Sequence, residues 1–303
     1  MPLRFPVIPM KAVLAALPPA TEDHEWAYEI KWDGYRTIAF VGGVIAGDSG
    51  LRLQSSNGND VTAKYPELAD LPTAVNAPSA ILDGELVVLD TRGRPNFEMM
   101  QRHETQVAYY VFDVLQVNGT DTIALPYEQR RALLAELIEA GPNWMVPTHR
   151  VGDGAAFLAA SAERGLEGVM AKRLGSPYVP GKRSPNWRKV KNRTQVEVTI
   201  GGFTHGSGSR STTFGALLVG IAETDGSLTF AGGVGTGFTQ ARLELLTRDL
   251  RARVVPNCPF SSTPPRSYSL EATWVLPDLR ALIEVAEFTN EGYVRHASFI
   301  DLA

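Results

Sequence analysis

Short runs of alternating apolar and polar residues dominate the first two-thirds of the chain and predict strands more often than helices. Residues 28–31 and 35–41 read as two strands around a turn at Asp33-Gly34. Residues 51–54 read as a third, followed by the polar turn 55–60. Residues 80–89 and 108–117 form longer apolar strands. Each carries an acidic break, Asp83-Gly84-Glu85 in the first and Asp113 in the second. Residues 127–138 place Leu133, Leu134, Leu137 and Ile138 at helical spacing; residues 154–164 predict a second helix and 168–171 a strand. Beyond Arg193 the texture changes. Residues 196–202, 216–221 and 228–231 are β-rich and separated by Gly, Ser and Thr clusters. Residues 240–250 predict one helix, and two closing strands flank a turn at Asn290-Glu291-Gly292. The change predicts two domains, residues 1–194 and 195–303, the second a small β-barrel with one helix, compatible with an OB-fold.

Composition narrows the classes. A chain of 303 residues, 44% hydrophobic and 20% charged, can bury a core without disulfides. No apolar run approaches the ~18 residues needed to span a bilayer. The one cysteine, Cys258, excludes a disulfide framework and a Cys-rich zinc site, so a reducing cytoplasmic setting is expected. The net charge of −4 argues mildly against a general nucleic-acid coat. Residues 172–193 depart from that average, with eight lysines and arginines, no acid, and Tyr178 and Trp187 interleaved. Such a segment reads either as a solvated loop or as a phosphate-binding stretch.

Four further clusters carry candidate chemistry. Lys31 ends an apolar strand in Lys31-Trp32-Asp33-Gly34-Tyr35-Arg36. A lysine attacks phosphorus only as the neutral amine, and partial burial or neighbouring cations favour that form. Glu85 sits within an apolar run, where a carboxylate is costly unless paired or metal-bound. Glu167 opens the strand that ends at Lys172. In Trp187-Arg188-Lys189-Val190-Lys191, the two lysines share one face of a strand, and a common polyanion would relieve their repulsion. Phe112, in the second long strand, is an aromatic able to stack on a base.

The order and spacing of these segments resemble the covalent nucleotidyltransferase superfamily, and within it the ATP-dependent DNA ligases of the bacterial end-joining type called ligase D. The likeness runs from about residue 6 to 299 and includes Trp26-Ala27-Tyr28-Glu29, the stretch 123–131, the stretch 176–181 and Tyr293-Val294-Arg295-His296. The resemblance implies an α+β fold: an adenylation domain of two antiparallel sheets with flanking helices, then an OB-fold domain. It implies that Lys31 is the nucleophile that takes AMP from ATP. Glu29 resembles the adenine-contacting acid, Arg36 the ribose-binding arginine and Phe112 the adenine-stacking ring. Glu85 resembles a ribose- or metal-linked glutamate, Glu167 a carboxylate that helps hold the catalytic Mg²⁺ or Mn²⁺, and Lys189 and Lys191 the phosphate-binding pair. The implied partners are nicked double-stranded DNA and end-joining proteins, met by a monomer near the nucleoid.

Two departures from the family pattern shape the expectation. Ser56 stands in Ser55-Ser56-Asn57 where the family has an arginine for the nick 5′-phosphate, and Arg52 is a nearby cation that could substitute. After His296-Ala297-Ser298-Phe299 the family continues into an Arg-x-Asp-Lys motif, whereas here Ile300-Asp301-Leu302-Ala303 follows. That difference predicts slow self-adenylation. It also keeps open an alternative reading, a ligase-like accessory module that binds nucleotide or DNA ends with little catalysis.

Overall fold

In the computed structural model, which describes residues 3–43, 46–47, 50–102, 105–289 and 291–303, the strands flanking Asp33-Gly34 do not pair with each other. They lie in different sheets. Asn290 of the expected closing turn lies outside the described residues. The chain divides into two compact units, Met1–Asn192 and Arg193–Ala303. Among the described residues, no helix is long and apolar enough to cross a membrane.

The first unit runs β1 (Lys11–Leu14), β2 (Trp26–Ile30), β3 (Tyr35–Gly42), β4 (Leu51–Ser55), β5 (Ser79–Val87), α1 (Phe97–Gln101), β6 (Ala108–Val117), β7 (Thr120–Asp121), α2 (Tyr127–Leu137), β8 (Trp144–Met145), β9 (Arg150–Val151), α3 (Gly154–Glu163), β10 (Gly168–Arg173) and β11 (Arg183–Lys191). One sheet has the order β1-β11-β10-β2-β9, the other β4-β3-β5-β6-β7, with β8 also paired to β6. Most pairs are antiparallel. Each sheet also contains one parallel pair, β1 with β11 and β6 with β8.

Residue parity explains how the second sheet is covered on both faces. Ile38 and Phe40 of β3 join Met10, Ile81, Phe112, Tyr178 and Trp187 in one cluster. Ala39 and Val41 join Leu82, Val111, Leu134 of α2 and Trp144 in another. Eight consecutive residues of β6 are buried, as expected of a strand enclosed on both sides. The first sheet is backed by α3, whose Phe157 and Leu158 pack on Trp26, Tyr28 and Val169. The crossing from β2 to β3 presses against β5. At Gly34 an added Cβ would lie 2.0 Å from the Leu86 carbonyl oxygen, so only glycine fits.

The acidic breaks within β5 and β6 are ion-pair sites. Asp83 and Asp113 have no exposed surface. Arg130, also fully buried, donates from Nε and Nη2 to Asp113 at 2.7 and 2.9 Å, and from Nη1 to the carbonyls of Leu125 and Ser176. The buried face of α2 is thus Tyr127, Arg130, Arg131, Leu134 and Leu137, rather than an all-apolar stripe.

The second unit runs β12 (Thr194–His205), β13 (Phe214–Ala222), β14 (Leu228–Val234), α4 (Gln240–Arg251), α5 (Arg266–Ser269), β15 (Ala272–Val285), β16 (Glu287–Phe288), β17 (Val294–Arg295) and β18 (Ser298–Leu302). Its five-stranded antiparallel sheet has the order β14-β13-β12-β15-β18. The two edges meet through a bridge between Thr236 and Ser298, where Phe299 N–H donates to the Thr236 carbonyl at 2.9 Å. The closure requires Gly237, at φ +93°, because a Cβ there would lie 2.2 Å from the Phe299 carbonyl oxygen. The Gly-rich stretch 232–237 is therefore the end of a strand and a barrel seam. α4 buries Leu243, Leu246 and Leu250 against the barrel. This is an OB-fold arrangement.

Replacing Arg130 with Ala should destabilise the chain by about 3–5 kcal/mol, because it leaves Asp113 buried and unpaired. The double replacement Arg130→Met, Asp113→Leu should recover most of that loss. Urea unfolding followed by tryptophan fluorescence measures both, and a negligible effect of Arg130→Ala would contradict the role of the pair.

Candidate active site

A pocket of about 300 Å³ is lined by residues of both sheets of the first unit. Glu29 and Ile30 come from β2, Lys31 and Trp32 from the crossing, and Arg36, Glu85 and Phe112 from β3, β5 and β6. Met170 and Lys172 come from β10, and Arg183, Trp187 and Lys189 from β11. Because β2 and β3 belong to different sheets, the chain must cross between them, and Lys31 begins that crossing.

At its mouth the pocket is a cluster of opposed charges. Lys31 Nζ pairs with Glu167 Oε2, and Lys191 Nζ lies 2.8 Å from Glu167 Oε1. Burial raises the Glu167 carboxyl, but Lys31 and Lys191 outweigh it and hold the group below its ordinary range. Lys189 lines the pocket, while Lys191 reaches the site through Glu167. Partial burial, then the charges of Lys31, Arg183 and Lys191, lower the Lys189 pKa. Strand parity does bring the two lysines to one side of β11, and Glu167 offsets part of their repulsion.

The inner end is aromatic and enclosed. Phe112 and Trp187 are buried, and Met170 also lines the pocket. Arg36 is held by Asp83, donating from Nε at 2.5 Å and Nη2 at 2.6 Å, with its guanidinium 4.6 Å from the Phe112 ring centre. Glu29 is 3% exposed, 2.7 Å from Lys172 Nζ, and accepts a hydrogen bond from the Tyr127 hydroxyl. Burial raises the Glu29 carboxyl, and Lys172 and Arg131 reverse that, leaving it lowered.

Neither reading of residues 172–193, as a solvated loop or as one phosphate-binding stretch, describes Lys172. It is 1% exposed, 4.3 Å from the centres of both Phe112 and Trp187. Its Nζ lies 2.7 Å from Glu29 Oε2, and since an ammonium carries three N–H groups, that contact does not use them all. Arg188 lies over the Trp26 ring, and Arg173 and Arg193 pair with Glu25 and Glu284. Only part of that basic run reaches the pocket. Arg52 is turned to Asp60, at 3.4 Å, and to the Phe5 ring, and does not line the pocket, whereas Ser56, Lys11 and Arg183 do. Lys11 carried no signal in the sequence, since it precedes Lys31 by twenty residues and reaches the site only through the parallel pairing of β1 with β11.

Buried aromatic rings, a buried ammonium paired with Glu29 and an outer group of lysines give the pocket the size and lining suited to a nucleotide. Residues 9–191 match the family described as "ATP dependent DNA ligase domain". The chain belongs to the ATP-dependent DNA ligase family. Residues 210–303 match the "ATP dependent DNA ligase C terminal region". The chain is 40% identical over 277 residues, 91% of its length, to the multifunctional non-homologous end joining protein LigD of Mycobacterium bovis. It spans 36% of that protein's length. The crystal structure of the ligase domain from M. tuberculosis LigD, 37% identical, covers 98% of the chain with a TM-score of 0.57, over 95% of its own residues. A mycobacterial DNA ligase D complexed with ATP and MES matches with a TM-score of 0.55 and 35% identity, over 97% of this chain and 95% of that one. The fold expected from the resemblance, an adenylation domain followed by an OB-fold, is thus the fold of this chain.

Glu85 offers a test of the site's electrostatics. Burial, opposed by Arg36 and Lys31 and assisted by Asp83, pushes its carboxyl up to about 8. The folded chain therefore binds this proton more tightly than the unfolded chain, whose glutamates titrate near ~4.3. Its contribution is fully present below that lower value and is lost as pH rises through the folded one. In metal-free buffer, Glu85→Gln should gain melting temperature relative to the parent chain as pH rises from about 5 to about 8, then level off. A gain that shrinks with pH would contradict the assignment.

Proposed function

We propose that this ligase seals nicks in duplex DNA through a lysyl-AMP formed on Lys31. The observation that carries the reading is the position of Lys31, at the mouth of a nucleotide-sized pocket and in contact with Glu167. Residues 1–194 act as the adenylation domain and residues 195–303 as the OB domain. Lys31 Nζ attacks the α-phosphorus of ATP; an N–P bond forms and pyrophosphate leaves. AMP then passes to the 5′-phosphate at the nick, and the 3′-hydroxyl displaces it. Met170, Phe112 and Trp187 enclose the base, and Lys172 supplies a donor to one of its ring nitrogens. Arg36, fixed by Asp83, faces the ribose. Lys189 and Lys191 offset charge on the transferred phosphate.

Among the described residues, no group of three His, Cys, Asp or Glu side chains could by itself hold a metal ion. A Mg²⁺ or Mn²⁺ would therefore rest on Glu85 or Glu167 together with phosphate oxygens and water, which suits Mg²⁺. When bound, it supplies positive charge to the phosphate in transfer. Likeness to LigD proteins named for end joining supports a role at broken DNA ends, beside end-joining partners. All the proposed catalytic groups come from one unit, consistent with a monomer.

Incubation with α-labelled ATP should give a protein–AMP adduct on a denaturing gel, and α-labelled GTP should not. Lys31→Ala should abolish the adduct, and so should Lys31→Arg, since a guanidinium stays protonated. Glu167→Ala should lower the rate of adduct formation about 10²-fold by removing the carboxylate that holds Lys31 and Lys191 in place. Appreciable adduct in Lys31→Ala would remove Lys31 from its role.

A further inference from the structure

A second cavity, about 650 Å³, adjoins the nucleotide pocket and shares Ile30 and Trp32 with it. It lies between the loop after β5 and the loop from α3 to β10. Three arginines line it, Arg92 and Arg94 from the first loop and Arg164 from the second, against the single carboxylate of Glu163. The first loop is built to hold Arg94. Asp90 accepts the backbone N–H groups of Arg92 and Arg94 at 2.8 and 2.9 Å, and binds the Arg94 guanidinium at 3.1 and 3.0 Å. Arg94 also rests on the opposite loop at Gly165, where φ is +68° and a Cβ would lie 3.4 Å from its Nη1. Arg92 and Arg164 are exposed and form no ion pair among the described residues.

Cations gathered around a concave surface repel one another until an anion fills it. Guanidinium groups match phosphate oxygens in shape as well as charge. A single small anion would need donors converging on one point, and these come from two loops across a wide cavity. A chain of phosphates satisfies that spread. Trp32, half-buried and edge-on to Tyr110 at 4.6 Å, stands on the wall shared with the nucleotide pocket and offers a flat surface to a sugar or base.

We propose that the cavity of Arg92, Arg94 and Arg164 holds the sugar-phosphate backbone of the DNA strand presented to Lys31. The inference rests on the nick-sealing reading and adds a strand-holding site to it. The test compares the parent chain with the double variant Arg92→Ala, Arg164→Ala, which leaves Arg94 and Asp90 in place. Binding to a labelled nicked duplex is followed by anisotropy from about 50 to about 200 mM salt, and the slope of log affinity against log salt should fall by about 1–2 in the variant. Affinity should drop on the order of tenfold near physiological salt, since two phosphate contacts are lost. AMP adduct formation with ATP alone should stay within about twofold of the parent, because neither arginine lines the nucleotide pocket. Arg92→Lys, Arg164→Lys should restore most of the salt slope. Unchanged affinity and slope, in a parent chain that adenylates and binds the nick, would overturn the strand site and leave the nick-sealing reading standing. Loss of adduct formation with unchanged DNA binding would also overturn it. A parent chain that neither adenylates nor binds would take down both readings.

Discussion

A carboxylate without exposed surface, Asp83, ties the two sheets of the first unit together. It stands in β5 of the second sheet and accepts both Arg36 nitrogens and the Tyr178 hydroxyl, at 2.6 Å. The Tyr178 oxygen in turn accepts the Met10 N–H at 2.9 Å, just before β1 at the edge of the first sheet. A buried charge costs several kcal/mol unless it is paired and fully hydrogen-bonded. That cost holds the four groups in one arrangement, and the arrangement sets the pocket. Arg36 cannot leave Asp83 without stranding it, so its guanidinium stays above Phe112 with its remaining donors available to a ligand.

The same rule sorts the lysines. Lys172, deep in the pocket, has its charge met by Glu29, while burial lowers its pKa. Lys31 and Lys191, nearer the surface, share Glu167. Each acid is thus matched to cations at a fixed depth: Glu29 in the region proposed for the base and Glu167 in the region proposed for the phosphate. A phosphate arriving beside Lys31 meets a cluster whose own counter-charge is a single carboxylate, and that imbalance favours an anion.

The second cavity extends the logic outward. Its arginines belong to loops, where substitutions disturb the fold little and positive charge can gather beside a rigid site. The chain is acidic overall, so the DNA contact proposed here rests on such local concentrations of charge and not on its total.

Much of the outline was legible in local sequence. Short apolar runs bounded by polar turns located β3 to β6, helical spacing located α2, and the shift in texture after Arg193 marked the second unit. Those features depend on neighbours along the chain, which a sequence displays directly. The spacing of Lys31, Glu85, Glu167 and Lys189 was visible in the same way and carried the family resemblance. Pairing across the fold was not visible. Nothing local shows that the strands beside Asp33-Gly34 belong to different sheets, because either arrangement satisfies the same alternation. Nor does the sequence reveal that Arg130 is buried on Asp113, that Lys172 is buried against Glu29, or that Lys11 and not Arg52 lines the pocket. Each of these was decided by tertiary structure, for one physical reason: the energy of a charge depends on which groups surround it in space, and those groups come from distant parts of the chain.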